Sequence, residues 1–281
     1  MPRFTDSHAH LSMVAERAGR AELEKALSAY SDAWGERGVS GSSRADGLET
    51  VACESPPFIL DIGTEPGDLG PRLDLWGRWP FVRFSAGLWP GPAALGNPKI
   101  ALAALAADLE LGRCSALGEC GLDYYHMAAG KKEQIALFRA QVEMAAEWGL
   151  GLVVHSRNAF EDSLAVVSEA AHSVPVVIHC FGYGPREAEG FLEAGCYLSF
   201  AGNLCFPSSE SLRRALALTP PDRVLIETDS PYMNPPPFRG KPSTPLDMER
   251  TLILAAHVRG EDPEALGRLS SANAQRLFPA R

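Results

Sequence analysis

The chain has no Cys-x-x-Cys pair, no apolar run approaching the ~18 residues that span a bilayer, no surplus of basic residues and no internal repeat. Each absence removes a class of protein. The cysteines Cys53, Cys114, Cys120, Cys180, Cys196 and Cys205 stand singly, in or beside apolar runs. They read as reduced, packed thiols and not as a disulfide framework or a structural zinc site. Without a long apolar run, no membrane partner is expected. A net charge of −9 argues against a surface that coats nucleic acid, because neutralising many phosphates takes clustered Lys and Arg. An enzyme gripping one or two phosphates needs only a few local cations. The start, Met1 to Asp6, lacks the basic segment, apolar stretch and small-residue site of a secretory leader, so a cytoplasmic protein is expected.

What the chain does have is alternation. Its 281 residues are 46% hydrophobic, enough to bury a core of barrel size. Strand-like runs fall at 3–8, 58–63, 82–88, 116–120, 150–155, 174–179, 195–201 and 223–228. Amphipathic stretches at 22–34, 98–111, 131–148, 160–171, 185–194 and 208–218 lie between them, and a helical pair closes the chain at 245–259 and 263–278. Strand–helix alternation implies parallel strands with helical crossovers, and eight such units predict a (β/α)8 TIM barrel of class α/β. Gly149 and Gly195 sit where helices would end; Pro98, Pro185 and Pro263 sit where they would start. The reading is one barrel over 1–281 with a long insertion at about 35–57, either a functional flap or an inert excursion.

The strand ends carry the chemistry. In Asp6-Ser7-His8-Ala9-His10, alternate strand residues share a face, so His8 and His10 can chelate one ion. Asp6 shares that face, to orient a histidine or to cap the turn. His155 and His179 terminate the all-apolar runs Gly151-Leu152-Val153-Val154 and Val176-Val177-Ile178. In a barrel these ends face the mouth that holds active sites, the C-terminal end of the strands. Glu119 and Asp229 add carboxylates at two further strand ends. Taken alone, Glu119 reads as a helix cap and Asp229 as a turn cap before Pro231, and each histidine as a packed core residue. Six such groups at one rim favour a metal site instead. A carboxylate can bridge two ions, and six ligands suffice for two divalent ions, zinc, manganese or magnesium, that activate water for hydrolysis. Asp229 is the candidate to accept the water's proton. His126 stands near enough to Glu119 to count as a further site candidate; His172 and His257 read as surface or packing residues.

These motifs together resemble the TatD family of metal-dependent deoxyribonucleases, in the amidohydrolase-like (β/α)8 superfamily. The resemblance runs nearly end to end. It rests on Asp6-Ser7-His8-Ala9-His10-Leu11, Gly118-Glu119-Cys120-Gly121-Leu122-Asp123-Tyr124, His155-Ser156-Arg157, His179-Cys180-Phe181, Glu227-Thr228-Asp229-Ser230-Pro231-Tyr232 and Asn273-Ala274-Gln275-Arg276-Leu277-Phe278. It implies metal ligands at His8, His10, Glu119, His155, His179 and Asp229, with Glu119 and Asp229 as the catalytic carboxylates and Glu119 bridging two ions. It also implies 3′-to-5′ hydrolysis of single-stranded DNA or RNA ends. Substrate contacts are implied at Arg157, Phe181, Tyr232, Arg239 and Lys241, near Cys180 and Gly240. On that basis Arg157, Arg239 and Lys241 would hold phosphates, and Phe181, Tyr232 or Trp89 would stack a terminal base. The chain departs from the usual family strings at Arg157-Asn158, Phe181-Gly182-Tyr183-Gly184, Pro242-Ser243-Thr244-Pro245 and Gly87-Leu88-Trp89-Pro90. None of these is a metal ligand; all lie where a substrate is chosen. A small-molecule amidohydrolase or phosphoesterase on the same barrel is therefore the alternative, and a non-catalytic barrel the third reading.

Overall fold

Short runs, most of them rich in Val, Ile, Leu or Phe and bounded by Gly, Pro or polar residues, become strands; the first, Asp6-Ser7-His8-Ala9, is the polar exception. In the computed structural model, which describes residues 4–39 and 56–281, the order is β1 (Asp6–Ala9), α1 (Leu11–Arg17), α2 (Arg20–Val39), β2 (Ile59–Asp61), α3 (Leu69–Trp76), β3 (Val82–Ala86), α4 (Pro92–Gly96), α5 (Pro98–Glu110), β4 (Cys114–Asp123), α6 (Lys131–Trp148), β5 (Gly151–Arg157), α7 (Phe160–Ala170), β6 (Val176–Ile178), α8 (Pro185–Glu193), β7 (Tyr197–Phe200), α9 (Glu210–Leu218), β8 (Val224–Ile226), α10 (Met248–Arg259) and α11 (Pro263–Leu277). The insertion expected at 35–57 lies outside the described residues apart from its two ends, as does Cys53. No helix among the described residues is long and apolar enough to cross a membrane.

All eight strands are parallel and pair in sequence order. The ring closes through the segment after β8. Asp229 N–H donates to His8 O at 3.0 Å and His10 N–H to Ser230 O at 2.8 Å, with Ala9 bridging Ser230. This closure lays the first motif of the chain against the last. The expected barrel is therefore the observed one.

Two apolar clusters hold it. Inside the barrel, Leu60, Ala116, Val153, Val177 and Leu225 meet Phe58 and, from the last helix, Ala274, Leu277 and Phe278. The end of α11 thus plugs the mouth opposite the motifs, and a Cβ on Gly151 would stand 2.8 Å from Leu277 O. A larger cluster lies between the strands and the surrounding helices. Gly149 and Gly260 end α6 and α10 in the left-handed conformation, and Pro98, Pro185 and Pro263 open α5, α8 and α11, where a missing N–H costs nothing.

Sequence and structure differ in places. Helices α1, α3 and α4 were not expected. β4 runs from Cys114 to Asp123, beyond both ends of the run expected at 116–120. Gly118 and Gly121 have φ of 140° and 129°, and a Cβ there would meet Val153 O at 2.6 Å and His155 O at 2.1 Å. They are strand glycines required by the close approach of β5.

Candidate metal centre

Two local irregularities aim the side chains. On β1, the pairing steps from Asp6↔Ile59 to Ala9↔Asp61, three residues against two. On β4 it steps from Leu117↔Leu152 to Cys120↔Val154, again three against two. Each is a bulge, which re-aims a side chain out of the regular pleat. The first lies at Ser7–His8 and the second at Gly118–Glu119. The barrel thereby gathers the six candidate ligands at one mouth, with His8, His10, Glu119, His179 and Asp229 buried.

Three of them, His8, His10 and Asp229, form one group, and Glu119 reaches its two imidazoles. His8 Nε2 and His10 Nε2 are 3.3 Å apart; Glu119 Oε2 is 3.5 and 3.6 Å from them, and Asp229 Oδ1 is 3.7 Å from each. Donors set tetrahedrally around an ion at ~2.0–2.1 Å would be ~3.3 Å apart, so His8, His10 and Asp229 fit a divalent cation. A second group forms on the other side of Glu119. Its Oε1 is 3.0 Å from His155 Nδ1 and 3.1 Å from His179 Nε2, which are themselves 3.3 Å apart. Three donors make one face of a tetrahedron and leave a position open, the arrangement of catalytic sites. The remaining nitrogens face outward. His155 Nε2 donates to Asp123 Oδ2 at 3.0 Å. His179 Nδ1 lies 3.5 Å from Glu227 Oε1, and the His8 ring stacks on His179 at 3.9 Å. Glu227 is itself fixed by the Ser199 hydroxyl and by Cys180 N–H at 2.7 Å.

The electrostatics show what this cluster is built to hold. Burial works against ionisation of Glu119, but His179 and hydrogen bonds from His155, His179 and His8 hold its carboxyl well below the ordinary range. Burial likewise opposes charging of His179, yet Glu119 and Glu227 hold it well above the usual imidazole value. His10 and His155 are raised in the same way, against burial, by Asp229 and by Asp123 with Glu119. His8 is lowered by burial and by His179. Without cations, then, protons on imidazoles balance the buried carboxylates, and loading a metal must expel them. Metal affinity is expected to fall as pH falls, by ~10-fold per unit for each proton displaced. Titration calorimetry in buffers of different ionisation enthalpy checks this; heats independent of buffer would contradict it.

The other residues expected at the site fall into groups. Arg157, Tyr232, Trp89, Cys180 and His126 line a cavity of about 700 Å³ that opens from the ligands. Phe181 does not; it is 1% exposed and packs against Tyr183, Phe191 and Phe200. The chain turns sharply at Cys180, with φ 42°, and carries Phe181 behind the barrel wall. It is a packing residue, which corrects the expectation of base stacking. Arg239 and Lys241 are also outside the cavity lining: the Arg239 guanidinium sits over Phe206 at 4.2 Å, and Lys241 lies near Phe238. Asp6 orients no imidazole. Its carboxylate accepts from Thr228 N–H at 3.0 Å, Thr228 Oγ1–H at 2.7 Å and His8 N–H at 3.3 Å, and burial pushes it up to about 7.

Asp123 and Glu227 are carboxylates beside the candidate ligands that sequence reasoning misses, though both stand inside the motifs. Their only signal is a carboxylate two or four strand positions from a ligand. Asp123 fixes the tautomer of His155 so that Nδ1 faces Glu119. Asp123→Asn should therefore weaken metal binding at the second group by roughly 10–100-fold. Metal titration of the variant checks it, and parental affinity would remove this role.

Known proteins resemble this chain in sequence and in fold. Residues 5–279 match the family described as TatD related DNase. A 3′-5′ ssDNA/RNA exonuclease TatD of Erwinia billingiae is 38% identical over 169 residues, 58% of this chain and 65% of that protein, just under two thirds of its length. An uncharacterized metal-dependent hydrolase of Escherichia coli K12, YcfH, is 35% identical over 83% of this chain and 87% of its own. In fold, the TatD homologue YJJV of Escherichia coli K12 superposes with a TM-score of 0.79 over 99% of both chains at 23% identity. With its parallel eight-stranded barrel, its converging His, Glu and Asp donors and a family match spanning almost every residue, the chain belongs to the TatD-related DNase family of metal-dependent hydrolases.

Proposed function

We propose that the protein is a two-metal 3′-to-5′ exonuclease acting on the ends of single-stranded DNA or RNA. One observation carries this reading: the two oxygens of Glu119 face two separate donor groups, Oε2 toward His8 and His10 and Oε1 toward His155 and His179. His8, His10 and Asp229 on one side of Glu119 and His155 and His179 on the other would hold the ions, which would supply acidification of water and charge stabilisation for phosphodiester hydrolysis.

The chain's own residues divide the rest. Asp229 is held below the usual carboxylate range, against burial, by His10 and its neighbours, so it is ionised at neutral pH. It lies on the cavity wall and can take the proton from the attacking water as general base. Arg157 stands on the rim as the phosphate-pairing cation, its guanidinium 4.1 Å over the Tyr125 ring. Trp89 and Tyr232 offer ring surface on the cavity wall for a terminal base. The net charge of −9 suits an enzyme that grips a strand end locally, not one that coats a duplex. The name carried by the Erwinia relative supports the same substrate class.

The test is metal-loaded protein with a 5′-labelled single-stranded oligonucleotide. A ladder shortening from the 3′ end is expected. An intact oligonucleotide beside turnover of an amide, lactone or phosphomonoester would replace this reading with the small-molecule one.

A further inference from the structure

We infer that His126 forms, with Arg157 across the Tyr125 ring, a second phosphate subsite that holds the nucleotide next to the scissile bond. The inference rests on the nuclease reading above and extends it outward from the metal centre. His126 follows the long strand β4, and its ring is pinned from one side only. Nδ1 lies 2.8 Å from Asp123 Oδ2, and its backbone N–H donates to Asp123 Oδ1 at 2.7 Å. A carboxylate only accepts, so Nδ1 carries the proton and Nε2 is the nitrogen turned to other partners. No residue among those described takes that nitrogen, and the side chain is half exposed on the cavity rim.

The surroundings are those of a strand-binding groove. Asp123 Oδ2 also receives His155 Nε2 at 3.0 Å, so one carboxylate oxygen ties His126 to a candidate metal ligand. The Trp89 ring stands 6.0 Å from both imidazoles. Tyr125, 61% exposed, has the His126 ring edge-on at 4.9 Å and the Arg157 guanidinium at 4.1 Å. His126 and Arg157 thus both contact one exposed aromatic ring at the cavity rim. A phosphate placed at this part of the rim meets the outward edge of the His126 ring and the Arg157 guanidinium, both of which contact the Tyr125 ring. His126 touches Asp123, which touches His155, which touches Glu119, so the ring stands two side chains out from the bridging carboxylate and is assigned to a neighbouring phosphate, not the scissile one.

The experiment compares a dinucleoside monophosphate, which has only the scissile phosphate, with a trinucleoside diphosphate, which adds its neighbour. For the wild-type holoenzyme the KM of the longer substrate is expected to be lower by about tenfold, the worth of one charge-assisted hydrogen bond. His126→Ala should bring the two KM values together. If the variant instead keeps the wild-type ratio, the subsite is wrong while the nuclease reading stands; a fall in kcat shared equally by both substrates, ratio retained, overturns it too and marks a positioning effect through Asp123. If the wild-type enzyme cleaves neither substrate, the nuclease reading itself fails.

Discussion

Asp229→Asn is expected to lower kcat by at least ~10³-fold while leaving the barrel folded, because it removes a general base and the negative charge of a metal donor at once. Asp229 Oδ1 stands 3.7 Å from both His8 Nε2 and His10 Nε2, and no apolar packing depends on its charge. Its backbone does the structural work: Asp229 N–H bonds to His8 O and helps to close the ring, and the substitution keeps that bond. Rate measurement with far-UV circular dichroism separates the outcomes. Parental kcat would refute the assignment, and a lost fold would move Asp229 from chemistry to structure.

Glu119→Gln should have the second-largest effect. An amide offers one oxygen where the carboxylate offers two, so the two donor groups lose their shared member. Bound metal should fall from two ions per chain to one or none, and turnover by about 100-fold or more. The fold should persist, since the bulge that aims residue 119 depends on Gly118 and its neighbours and not on the charge. Elemental analysis after gel filtration gives the stoichiometry. Two ions retained in the variant would show that Glu119 is not a bridge.

The barrel and the positions of the metal-ligand candidates were legible because both follow from periodicity and strand ends. An apolar run that stops at a histidine delivers that histidine to the strand's C-terminal mouth whatever the details of packing. What the sequence hid was local geometry. The bulges at Ser7–His8 and Gly118–Glu119 leave no compositional mark, and the strand expected at 116–120 continues through Gly121 to Asp123 because β5 is laid against it. Helix α1 starts directly after His10 with no capping side chain, so nothing announces it. Helix α3 carries Gly70 and Pro71 in its first turn, which breaks the helical pattern. Phe181 misled for a related reason. Its place beside His179 in the chain suggested a shared site, but one left-handed residue at Cys180 turns it into the core. Asp123 and Glu227 escaped notice because their partners, His155 and His179, come from other strands.

Two divalent ions, one on either side of Glu119, are what the proposed chemistry requires. Crystals grown with manganese and measured at its absorption edge test this directly. Two anomalous peaks ~3.5–4 Å apart are predicted, one among His8, His10, Glu119 and Asp229 and the other among Glu119, His155 and His179. A single peak, or peaks remote from these residues, would contradict it.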